Sequence, residues 1–215
     1  MDNTLEGRLL FAQNAITNAQ NYEQVKNLLA DFGYTDERLQ EGQQLYEKAS
    51  ELQLKQQKEY GEQFEATDTL NAAKATANQQ YMKHIKIARI ALGKNRNAQE
   101  SLQLGGERRR SLSGWLKQAK AFYANALSSS EVQAALGRYG ITAEKLTAAQ
   151  QQVTEVEQAF NRQLQEKGEA QAATQQRDEA FDALQEWMGD FIAIARIALE
   201  SEPQYLEMLG VVQPA

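Results

Sequence analysis

The stretch IKIARIAL at residues 85–92 returns as IAIARIAL at 192–199, and FGYTDERL at 32–39 returns as YGITAEKL at 139–146. Both pairs lie 107 positions apart. The same offset relates Gly7 to Gly114, Asn18 to Asn125, Val25 to Val132, Gly61 to Gly168, and Ala66-Thr67 to Ala173-Thr174. From Leu5/Leu112 to Leu92/Leu199 the register needs no insertion or deletion. Self-similarity held at one period reads as a duplicated structural unit. Charge divides evenly between the halves: residues 1–107 carry 12 basic and 15 acidic side chains, and the remainder 11 and 14.

Within each copy the composition is helical. Gln, Ala, Glu, Leu and Lys dominate, all good helix formers. A first helix is expected from Leu5 to Ala30, capped by Thr4, and again after Ser111. A turn follows at Asp31-Phe32-Gly33-Tyr34, where Gly33 and its counterpart Gly140 suit the left-handed residue that ends a helix. Thr35 and Thr142 are placed to cap the next helix, and Asp36, Glu37 and Glu144 in its first turn complement the helix dipole. Apolar residues then recur at spacings of three and four, through Leu39, Tyr46, Leu70, Tyr81 and Ile85 in one copy. Leu146, Val153, Phe160, Phe181 and Phe191 continue the stripe in the other.

The phase of the stripe does not break at Gly61 or Gly168. One long helix is therefore expected from Asp36 to Leu92 and another from Ala143 to Leu199, each roughly 85 Å long. The fold expected is all-α, an elongated antiparallel bundle of two tandem repeats, each a short helix plus a long one. Gly61 and Gly168 would then mark places where a helix crosses closely or bends, because glycine inside a helix needs a packing reason. The alternative splits each long helix at Gly-Glu-x-x-x-Ala-Thr into two three-helix bundles. The expected division is 1–106 for the first repeat with its irregular linker from Gly93, 107–200 for the second, and 201–215 for a separate C-terminal helix and tail, all in one compact structure. In that last segment Ser201 reads as a cap, Pro203 as a first-turn residue and Gly210 as a stop.

The chain has 215 residues and a net charge of -6, with no cysteine and one histidine. Acidity argues against nucleic-acid binding, which relies on Lys and Arg neutralising phosphates. The absence of cysteine removes disulfides, zinc-thiolate sites and thiol nucleophiles. The N-terminal stretch lacks the pattern of a signal peptide. The longest apolar run, Phe191 to Leu199, is too short to span a bilayer. A soluble, cytoplasmic protein is expected.

Few residues invite chemistry. Arg89 and Arg196 are the charged positions in the repeated IARIAL. If that hexapeptide is surrounded by helices, each guanidinium should be partly buried against a carboxylate or a carbonyl near a hairpin turn. Otherwise each is a ligand or interface residue. His84 has Phe191 as its counterpart, which suggests a packing or surface slot. Arg108-Arg109-Arg110 reads as a solvated linker, or else as a small basic patch. Asp178, Glu179, Asp182 and Glu186 read as a solvated face. No metal-ligand spacing or phosphate loop is present, so no cofactor, metal or enzymatic activity is expected.

The functional expectation is a non-enzymatic helical interaction or scaffold protein, acting on a protein partner or by self-association. The alternatives are a small-molecule or anion-binding helical sensor using Arg89 and Arg196, and a peripheral membrane binder using the amphipathic faces. A cavity of several hundred Å³ reached by an arginine would favour the sensor.

Overall fold

The computed structural model describes residues 4–211. Among them the chain is all-helical, with α1 Leu5–Asn21, α2 Glu23–Ala30, α3 Asp36–Ala91, α4 Arg96–Ser101, α5 Leu112–Ser128, α6 Ser130–Gly137, α7 Ala143–Ala198 and α8 Pro203–Met208. Each of α5 to α8 begins and ends 107 positions after its counterpart among α1 to α4.

Local chemistry explains most of these boundaries. Thr4 and Ser111 accept from the amides of Gly7 and Gly114, so both first helices begin on a side-chain cap. Gly33 and Gly140 turn the chain with φ of +86° and +74°. Behind them the amides of Tyr34 and Ile141 close onto the carbonyls of Leu29 and Leu136 at 3.1 and 3.2 Å. Thr142 Oγ1 accepts from the amide of Lys145, whereas the Thr35 hydroxyl donates to Glu37.

The expected helix over residues 5–30 is two helices. The break falls at Tyr22 and Ser129, both in extended conformation, and Ser129 caps the new helix by accepting from the amide of Val132. The expected linker and the separate end also change. Residues 93–106 contain α4, capped by Asn95, and α8 stands 107 positions on. The residue capping α8 is Glu202 rather than Ser201, with Pro203 opening the helix. Leu102 and Leu209 are both buried after these helices, and the next residues, Gln103 and Gly210, both have positive φ.

The chain forms two compact units, Met1–Gly61 with Glu169–Ala215, and Glu62–Gly168. This cut differs from the sequential division at residue 106, because α3 and α7 are continuous and each contributes one half to each unit. In the first unit α1 and α2 bury Ala15, Ile16, Val25 and Leu29 with Phe181, Leu184 and Phe191 of α7 and with Leu206 and Leu209. In the second, α5 and α6 bury Phe122, Tyr123, Val132 and Leu136 with Tyr81, Ile85 and Ala88 of α3 and with Leu102. Each short hairpin thus shares a core with the end of the long helix from the other half of the sequence.

Gly61 and Gly168 lie inside α3 and α7, but a Cβ at either would meet no atom within 4 Å. The close approach is at Gly42, where a Cβ would lie 2.4 Å from Cη2 of Trp187.

Candidate functional site

The repeated IARIAL segments end α3 and α7. Their alanines and terminal leucines face the cores: Ala88, Leu92, Ala195 and Leu199 are buried. Helical geometry turns the intervening residues away. Arg89 and Arg196 are both exposed, contrary to the expectation that neighbouring helices surround them. Ile90 and Ile197 are 69% and 57% exposed. The two turns carry a second matched pair, Phe32 at 48% and Tyr139 at 53% exposed. Phe32 shares the first unit with Ile197, and Tyr139 shares the second with Ile90.

The two arginines differ in their partners. Arg89 Nε donates to the Leu104 carbonyl at 2.8 Å. Arg196 makes no hydrogen bond or ion pair among the described residues. It lines a groove of about 480 Å³ in the first unit. Phe11, Met188 and Ile192 supply apolar wall, and Val211 closes one side. Gly189 and Ala193 keep the groove open, since a Cβ on Gly189 would meet nothing within 4 Å.

The counterpart positions in the second unit are built differently. Met82 stands where the first unit has Gly189, and it packs against the core. The chain after α4 also lies across these positions. Arg108 donates to the Tyr81 hydroxyl at 3.1 Å and to the Gln103 and Gly105 carbonyls at 2.7 and 2.6 Å. The amide of Arg109 donates to Gln118 at 2.8 Å. Arg108 is therefore a bracing residue rather than part of a solvated linker, while Arg109 and Arg110 are exposed.

His84 is buried. The Gln80 amide nitrogen can only donate, so His84 Nε2 accepts from it at 3.0 Å, and Nδ1–H is left to donate to the Tyr123 hydroxyl at 3.2 Å. Burial holds the imidazole below its ordinary pKa, and the nearby Lys145 charge adds to this. Burial pushes the Tyr123 hydroxyl up. The counterpart positions in the first unit are Trp187, Phe191 and Ile16. There Trp187 stacks on Phe191 at 5.0 Å between ring centres, and Tyr34 meets both rings at 5.7 and 5.1 Å. The Arg38 guanidinium sits 4.7 Å over the Tyr34 ring. Asp178, Glu179, Asp182 and Glu186 are exposed.

The roles of Gly42, Gln80 and Gly189 were not read from the sequence. A signal existed for each in the aligned halves, which pair Gly42 with Ala149, Gln80 with Trp187 and Gly189 with Met82. Among the described residues no helix is long and apolar enough to cross a membrane. Compared with known proteins, the chain matches no family, no curated protein and no solved structure.

Proposed function

We propose that this chain is a non-enzymatic helical interaction protein, formed by duplication of a four-helix segment, with one docking edge on each compact unit. The observation that carries this reading is the match of Arg89-Ile90 with Arg196-Ile197 at exposed positions. Core packing explains why the neighbouring alanines and leucines agree between the halves. It does not explain an exposed isoleucine beside an exposed arginine in both. Phe32 and Tyr139 add an exposed aromatic ring in each unit, of the kind that anchors protein interfaces. The partner is a protein surface combining an apolar patch with carboxylates facing the arginines.

The test compares proteins captured by the wild-type chain with those captured by an Ile90→Asp/Ile197→Asp variant. An exposed-site control, Leu54→Asp, runs beside them, and circular dichroism verifies the fold of each. The reading predicts partners held directly by wild type and control, with purified components, and lost by the double variant. Equal capture by all three chains, or none above an empty support, overturns it.

A further inference from the structure

The groove of the first unit and its counterpart in the second start from related sequence and end in opposite states. In the second unit the position is filled three times over. Met82 packs against the core, Arg89 is tied to the Leu104 carbonyl at 2.8 Å, and the following chain is bonded to Tyr81 and Gln118. In the first unit the counterpart side chains around the groove are small or apolar. Gly189 replaces Met82, Ala193 replaces Lys86, Met188 replaces Tyr81 and Phe11 replaces Gln118. The cation is kept. Arg196 remains at the groove without a partner among the described residues.

We infer that the Gly189–Arg196 groove is a binding site for an amphiphilic anion, a single apolar chain ending in a carboxylate. The volume of about 480 Å³ falls in the range of small-molecule sites. The walls offer Phe11, Met188 and Ile192 to the apolar chain. The planar guanidinium of Arg196 gives a carboxylate two parallel donors. Arg89 shows that an arginine at this position reaches an oxygen acceptor beside the helix, there the Leu104 carbonyl. The counterpart of Leu104 in the first unit is Val211, which lines the groove without accepting from Arg196, so the bound carboxylate supplies the acceptor. A cationic or uncharged chain of the same length satisfies the walls and leaves Arg196 unpaired.

The experiment is a calorimetric titration of the full chain with decanoate, and with decyltrimethylammonium as the probe of opposite charge. Wild type binds decanoate at one site per chain and the cationic probe at least about tenfold more weakly. Arg196→Gln removes that preference by weakening decanoate. Gly189→Met, which installs the second unit's own filler, abolishes binding of decanoate. Lys117→Gln, an exposed charge change in the other unit, leaves it intact. Melting curves and circular dichroism verify that each variant is folded. Two results overturn the proposal. One is no decanoate binding by wild type. The other is equal binding of both probes, unaffected by Gly189→Met, which is detergent-like adsorption.

Discussion

The indole of Trp187 occupies the space in front of Gly42, so that a Cβ there would lie within 2.4 to 2.7 Å of three ring atoms. Phe191 stacks on the ring and Tyr34 packs against it at a steep angle, and both contacts restrain the indole. At the counterpart positions 107 residues away stand Ala149 and Gln80, a larger residue with a smaller one. The two halves thus trade volume between the same two helical positions, as close-packed interiors require.

Gly42→Ala should destabilise the protein. The helix gains roughly 1 kcal/mol from losing a glycine, but overpacking against a restrained ring costs roughly 1–3 kcal/mol. Gly61→Ala and Gly168→Ala meet no neighbouring atom and should each stabilise by roughly 0.5–1 kcal/mol. Urea unfolding of the three variants checks the opposite signs. A stabilised Gly42→Ala would show that the indole yields.

Asn18 and Asn125 do the same work in the two units. Asn18 Nδ2 donates to the Met208 carbonyl at 2.5 Å, and Asn125 Nδ2 to the Ser101 carbonyl at 2.6 Å. The first bond pins the last residue of α8 to α1, and the second pins the last residue of α4 to α5. Replacing either asparagine by alanine should cost about 1 kcal/mol, and the two losses should add because the sites share no partner. Hydrogen exchange should quicken around α8 in Asn18→Ala and around α4 in Asn125→Ala.

Stability should depend on pH through His84. Its folded-state pKa lies below the unfolded value of 6.5, so the neutral ring is the form the fold holds. Above pH 6.5 the contribution is complete. Below it the unfolded chain takes up a proton that the folded chain resists, and stability falls until the folded pKa is passed. His84→Phe, the residue used at 191, should remove this dependence between pH 6.5 and the folded pKa. It should also lower stability at neutral pH by about 1–3 kcal/mol, because the Tyr123 hydroxyl loses its buried partner. Melting temperatures across the pH range for both chains decide it. An identical acid limb in the variant would place the dependence elsewhere.

The two repeated arginines should respond differently to truncation. Arg196→Ala removes an exposed group without a partner among the described residues and should shift stability by no more than about 0.5 kcal/mol. Arg89→Ala breaks the bond to the Leu104 carbonyl and should cost about 1 kcal/mol. Thermal melts of the single variants give both numbers, and equal losses would contradict the asymmetry between the units.

Helix, cap and turn were legible without coordinates because their causes are local. Thr4, Ser111, Gly33 and Gly140 act on backbone groups a few residues away, and the stripe of Leu39, Leu70 and Ile85 repeats with the helical period. The 107-residue offset was legible as identity along the chain, and it reaches further than the matched letters, since α4 and α8 correspond with little shared sequence. The break at Tyr22 was hidden, because Asn-Tyr-Glu carries no strong stop. Exposure of Arg89 and Arg196, the role of Gly42 and the open groove at Gly189 depended on residues more than a hundred positions apart or on chain crossing after a helix ends. A long helix that runs on and one that folds back bury the same apolar stripe against the same kind of hairpin. Composition and period are blind to that choice, and only tertiary packing settled that α1 and α2 share their core with Phe181, Leu184 and Phe191.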